Sequence, residues 1–151
     1  PRGGSNSNVD ISDIKIDKRG NIYLTGNFGM DVQSGFSSFV DFDPGRFASN
    51  VVIRQTPFYR GMFLSKLDSS GNLLYVVTGS GDNLGLALEV DGNENVYVVG
   101  SQKANNAYID GSSIVRIGSY LSNIYKAFIL KTDSVGNLVF VQYYHSRRNL
   151  L

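Results

Sequence analysis

Asp91, Asn93 and Asn95 share the first three spacings of a calcium-binding loop, which makes them the first side chains in this sequence to test for chemistry. The glycine and the distal bidentate glutamate of such a loop are missing, so the stretch reads as a tight turn, with calcium as the alternative. Asp41 and Asp43 alternate with Phe42, which on a strand places both carboxylates on one face, as a paired-carboxylate hydrolase requires. The matching place later in the chain holds only Asp110, which favours solubilising or turn-capping acids. His145 is the single histidine and there is no cysteine, so neither a typical zinc site nor a thiol–imidazole pair can be assembled. No serine lies in a G-x-S-x-G context. The expectation is a protein without catalytic residues, cofactor or bound metal.

Binding chemistry has a stronger candidate. Six of the nine phenylalanines fall between positions 28 and 58, and Phe36, Phe39, Phe42, Phe47, Phe58 and Tyr59 are the candidate interaction residues. Aromatic rings on a loop can anchor a protein interface or stack on sugar faces. The same rings also suit the private core of a long insertion, which must bury something to be ordered. Lys66 and Lys131 each alternate with apolar neighbours at equivalent places, and the expectation is that both point outward or toward a channel in a structural role.

The elements that position these residues are marked by four short stretches: DKRGN from Asp17, DSSGN from Asp68, DGNEN from Asp91 and DSVGN from Asp133. Each lies between runs of alternating apolar residues and so reads as a tight hairpin turn between antiparallel strands. The leading Asp can accept a hydrogen bond from the N–H two residues on. Gly20, Gly71 and Gly136 supply the residue with positive φ. Glu94 stands at that place in the third copy, and a changed turn type is expected there. Asp17 and Asp91 are 74 residues apart, and Asp68 and Asp133 are 65 apart. The chain is therefore two copies of one unit.

Unit one runs Ile14–Ile16, turn, 21–28, a long segment, Met62–Leu67, turn, Leu73–Thr78. Unit two repeats the order with 86–90, Val96–Gly100, 127–132 and 138–143. β-Branched and aromatic residues dominate these runs, and no helix-sized window sustains a 3.6-residue period. The expected division is a polar lead or linker over 1–9, a first blade over 10–82 with an insertion at 29–60, and a second blade over 83–151. Hydrophobic content of 42% and charged content of 18% are those of a globular chain, and seventeen glycines with eighteen Phe and Tyr suit an all-β one. A net charge of +1 gives no electrostatic argument for nucleic acid, and no apolar run is long enough for membrane insertion by a helix. With no initiator Met and no signal peptide, Pro1 is expected to begin a processed or trimmed piece.

DKRGNIYLTG (from Asp17), VDFDPG (from Val40) and FLSKLDSSGNL (from Phe63), with NVYVVG (from Asn95) and FILKTDSVGNL (from Phe128), resemble the SBBP-type β-propeller repeat family over nearly all of residues 10 to 146. Where that family typically carries an acid just before the FLxKxD strand, this chain has Gly61 and Lys126. The resemblance implies an all-β fold of two four-stranded antiparallel propeller blades, part of a larger or assembled β-propeller. It also implies a non-catalytic scaffold and protein-interaction platform in a secreted or cell-surface protein. The alternatives are a structural subunit of an oligomer, filament or virion, and a carbohydrate-binding propeller. Two blades cannot close a ring, and each blade face expects a neighbour. The partners expected are thus further blades, in the same chain or in copies of it, and other proteins.

Overall fold

The computed structural model describes residues 2–3, 7–30, 38–43, 51–54, 60–102, 106–109, 113–116 and 126–144. Every helix or strand among them is a β-strand. The first unit comprises β1 (Arg2–Gly3), β2 (Ser7–Ile16), β3 (Ile22–Met30), β4 (Ser38–Asp41), β5 (Val51–Arg54), β6 (Gly61–Leu67) and β7 (Leu73–Ser80). The second comprises β8 (Asn83–Val90), β9 (Val96–Gln102), β10 (Asn106–Ile109), β11 (Ser113–Arg116), β12 (Lys126–Thr132) and β13 (Leu138–Tyr144). The expected polar lead thus contributes Arg2–Gly3 as a short strand and Ser7 onward as the start of β2.

Two four-stranded antiparallel sheets follow from the two units, β2-β3-β6-β7 and β8-β9-β12-β13, each in sequence order. The first is extended at β7 by β10 and β11, and β1, β4 and β5 form a small third sheet. The four turns join β2 to β3, β6 to β7, β8 to β9 and β12 to β13. The units agree down to their irregularities. The β2–β3 register shifts between Ile11 and Asp13, and the β8–β9 register between Gly85 and Ala87, 74 residues later. The bulge turns a carbonyl toward the partner strand, and only glycine leaves room for it. A Cβ at Gly26 would lie 1.9 Å from the Asp10 carbonyl oxygen, and one at Gly100 would lie 2.1 Å from that of Leu84.

The sheets pack face to face, joined by the two-residue link Gly81–Asp82, both at positive φ. Tyr23, Met62, Leu64 and Val77 of unit one meet Leu88, Val96, Val98, Phe128 and Leu130 of unit two in one cluster, with Ile109 of β10. Each such side chain contributes about 1.5–3 kcal/mol relative to exposure, so this interior is the main force holding the two units together. A second cluster, Phe28, Val40, Phe42 and Phe63, lies on the opposite face of sheet one.

Candidate interaction surface

All four turns use one hydrogen-bonding scheme. In the first, the N–H groups of Arg19 and Asn21 donate to Asp17 Oδ1 at 2.8 and 3.0 Å, and Asn21 Nδ2 donates to Asp17 Oδ2 at 2.8 Å. The Asp68, Asp91 and Asp133 carboxylates accept the same three donors within 3.1 Å. Hydrogen bonding to the Asn at the turn's end leads the causes that hold Asp68, Asp91 and Asp133 below the usual carboxylate range. The Asp91 oxygens are thus engaged as those of its sister turns are, which favours the hairpin reading of that stretch. Glu94 takes φ +63, matching Gly20, Gly71 and Gly136 at +81, +87 and +92, and its N–H donates to the Asp91 carbonyl as glycine does in the other turns. The changed turn expected there is not found. The third turn keeps its type and accepts a strained residue.

The reason for that residue lies across the sheet interface. Lys66, expected to point outward or into a channel, is 4% exposed. Its ammonium sits 5.1 Å from the Tyr23 ring centroid, donates to Glu94 Oε2 at 2.9 Å and lies 3.3 Å from the Ser134 carbonyl oxygen. Burial pulls the Lys66 pKa down, but hydrogen bonding to Tyr23 and Glu94 outweighs it and holds the ammonium above the ordinary lysine value. Arg19 closes the other side of Glu94 at 2.9 Å. Tyr75 lies over the fourth turn, where a Cβ on Gly136 would come 2.8 Å from its ring. Burial pushes the Tyr75 phenol up to about 12. Together Lys66, Tyr23 and Tyr75 form a socket on sheet one that grips the two turns at the end of sheet two. Lys15 and Glu89, 3.5 Å apart, form an exposed pair beside it of little energetic weight.

Higher up the same interface, two main-chain donors of β8 meet acceptors of unit one, and one main-chain donor of unit one meets an acceptor on β8. Leu88 N–H reaches Asp13 Oδ2 at 2.9 Å, Gly85 N–H reaches Asn27 Oδ1 at 2.9 Å, and Asn83 Oδ1 accepts from Met62 N–H at 2.9 Å. The β8 bulge leaves the Gly85 and Leu88 donors free of the ladder, which is why their acceptors stand on the neighbouring sheet.

The two units meet head to tail. The face of sheet one carrying the socket corresponds, residue for residue, to the outer face of sheet two. Lys131 stands at the place of Lys66 and Tyr97 at that of Tyr23, with the ammonium 5.0 Å from the ring centroid. Phe140, 42% exposed, stands at the place of Tyr75, with Val99 and Tyr144 also exposed nearby. Conversely, Leu88 is buried in the interface while its counterpart Ile14 on sheet one is 53% exposed, and Ile16, the counterpart of the partly buried Val90, is 66% exposed. Sheet two thus keeps one apolar face without a sheet against it among the described residues, whereas the opposite face of sheet one carries Val40 and Phe42 over Phe28 and Phe63 and is open around Ile14 and Ile16. Periodicity placed the strands, but it could not show this displacement, because the pairing of the two faces is a non-local fact.

Of the candidate aromatic residues, Phe42 is 2% exposed and sits edge-on to Phe28 at 5.5 Å and tilted against Phe63 at 5.1 Å. It packs internally. Phe39 lies on β4 opposite Ile53, whereas Phe36, Phe47, Phe58 and Tyr59 lie outside the described residues, as do Asp110 and His145. Asp41 is buried and accepts the Asp43 N–H at 3.0 Å, a turn-capping contact. An open cleft of about 610 Å³ between the first and third turns is walled by Lys18 and Arg19 on one side and Asp91, Gly92 and Glu94 on the other. No helix of the described residues is long and apolar enough to cross a membrane, and no group of three or more His, Cys, Asp or Glu among them could hold a metal ion. No family model, curated protein or solved structure matches this chain.

Proposed function

We infer that this chain is a non-catalytic repeat module of the SBBP-type propeller kind, whose stacked sheets act as a scaffold and whose outer faces take protein partners. The head-to-tail displacement carries the reading. One face of each unit is the counterpart of a face buried in the other, so the interface within the chain can be repeated at the outer face of sheet two, and on sheet one at the turn end around Ile14 and Ile16, which Val40 and Phe42 leave open. Covering roughly 400 Å² of such a face would contribute on the order of 10 kcal/mol before the cost of association. The charged residues support the same reading, because the turn aspartates, Asp13, Asp41, Lys66 and Glu94 are all engaged in holding turns or sheets. The partners on this reading are further sheets of the same kind and other proteins, without nucleic acid, membrane insertion or a cofactor. The setting is a cell surface or secreted protein, with a virion or filament subunit as the second form of the same structural role.

Sedimentation velocity over a wide concentration range tests this. The wild type is expected to associate by mass action through its outer faces, and Val99→Lys with Phe140→Lys is expected to abolish that while leaving the thermal midpoint within a few degrees. A wild type that stays monomeric throughout, or association indifferent to the double substitution, overturns the reading.

A further inference from the structure

We propose that the outer face of sheet two is a preformed socket for a carboxylate-bearing hairpin turn, and that its occupant is an antiparallel sheet whose first turn carries Glu at the fourth position. This deepens the scaffold reading and rests on it.

Lys131 is already oriented. Its ammonium holds the same relation to Tyr97, 5.0 Å from the centroid, that Lys66 holds to Tyr23 at 5.1 Å with its anion bound. The aromatic ring, and not the carboxylate, therefore positions the cation, and the outer socket is organised before any occupant arrives. Tyr97 is in turn held by its hydroxyl, which donates to Asp91 at 3.3 Å as Tyr23 donates to Asp17 at 3.0 Å. In the occupied socket two features of the incoming sheet are read: a glutamate at the fourth position of its first turn, against lysine, and a glycine at the fourth position of its second, against Tyr75. Lys131 and Phe140 offer the same two contacts. The strand-docking acceptors are not repeated, since Ala87 and Ser101 stand where Asp13 and Asn27 stand in unit one. Recognition at the outer face is thus concentrated at the turns.

A second copy of this chain meets only half of the requirement. The face it can present is the turn end of sheet one around the exposed Ile14 and Ile16, where the second turn carries Gly71 and the first turn carries Gly20 in place of the glutamate needed. Its own Glu94 is engaged with Lys66. The wild-type chain therefore lacks the carboxylate for its own socket, and the fitting partner is a sheet that has one.

The test builds that partner. Gly20→Glu places the carboxylate at a backbone position already at φ +81, near the +63 that Glu94 adopts. Sedimentation velocity at low ionic strength is expected to show a self-association constant at least tenfold tighter than the wild type. The gain should shrink with salt and vanish in Gly20→Glu combined with Lys131→Met. Among the described residues beyond its chain neighbours, the new Cβ meets Ser69 Cβ at 3.2 Å, so Gly20→Glu with Ser69→Gly is the second variant if the first does not fold. Lys131→Met alone, on the wild-type background, is expected to leave association unchanged or slightly tighter, because the first turn of a second wild-type copy brings glycine and no glutamate to its cation. Unchanged association of folded Gly20→Glu, a gain that survives Lys131→Met, or weaker association of Lys131→Met alone each overturns the proposal. A wild type that associates while Gly20→Glu adds nothing sinks the socket and spares the scaffold, and a wild type that never associates while Gly20→Glu does so has the opposite meaning.

Discussion

Glu94 occupies left-handed backbone at a cost of about 1–2 kcal/mol relative to glycine. It is retained against Lys66, whose ammonium is nearly inaccessible and would be left buried without a counter-charge. Breaking a fully buried pair costs about 3–5 kcal/mol; with the Glu94 side chain 20% exposed the loss here falls nearer 2–3 kcal/mol. The two terms oppose each other, so the sign of Glu94→Gly decides which wins. Urea denaturation is expected to show Glu94→Gly less stable than wild type by about 1 kcal/mol, and Glu94→Gln, which keeps the strain and loses the charge, less stable still. A stabilised Glu94→Gly would mean that strain dominates. The same groups set the pH profile. Asp13, Asp17, Asp68, Asp91 and Asp133 lie below their ordinary 3.8 in the fold, so their contribution is complete above that value and is lost as pH falls through the lowered ones. Lys66 lies above 10.5, so its contribution is complete below 10.5 and is lost as pH rises through the raised value. Burial also pushes Tyr75 and Tyr143 up to about 12, which favours the fold less once the unfolded phenols ionise above 10. Urea midpoints should therefore form a plateau over roughly pH 5–9 with a fall on each side, and a midpoint that rises below pH 3.8 would contradict the acid limb.

At the scale of strands and turns, glycine has two separable jobs. At Gly100 it admits the bulged Leu84 carbonyl and the Phe128 ring, whereas at Gly92 nothing lies within 4 Å and φ is ordinary. Gly100→Ala is expected to lower stability by about 3 kcal/mol through overpacking, and Gly92→Ala to leave it unchanged or raise it by about 0.5 kcal/mol through a less flexible unfolded chain. Chemical denaturation of the two variants side by side checks this, and equal effects would mean that the bulge places no demand on Gly100. These elements were also the most legible part of the sequence. Alternation of apolar residues and the recurring Asp, Gly and Asn are local signals, and the eight main strands and all four turns stand where those signals place them. The bulges at Ser12 and Leu86 were not legible, because an unpaired residue in a strand leaves no compositional trace. Nor was the burial of Lys66: an alternating lysine reads as solvent-facing until a second sheet covers it. Phe42 shows the same limit, since the pattern that marks an exposed aromatic anchor also marks one packed on Phe28 and Phe63.

The whole described molecule depends on an interior that neither sheet can supply by itself. Leu64 belongs to sheet one and Leu130 to sheet two, yet both are 0% exposed within a single cluster. The link between the sheets is two residues long, Gly81–Asp82, so they cannot separate without also breaking the Met62–Asn83 and Gly85–Asn27 contacts beside it. Loss of either sheet would expose the inner face of the other, and the expected behaviour is one cooperative transition. Leu64→Ala and Leu130→Ala should each lower stability by about 2–5 kcal/mol, and each should shift the same transition. Hydrogen exchange followed at β3 amides and at β9 amides reports the two sheets separately. Both sets are expected to lose protection by the same amount in either variant, because opening one sheet opens the other. If Leu130→Ala releases β9 while β3 keeps its protection, the units are independently stable, and neither sheet needs a neighbour to hold its fold.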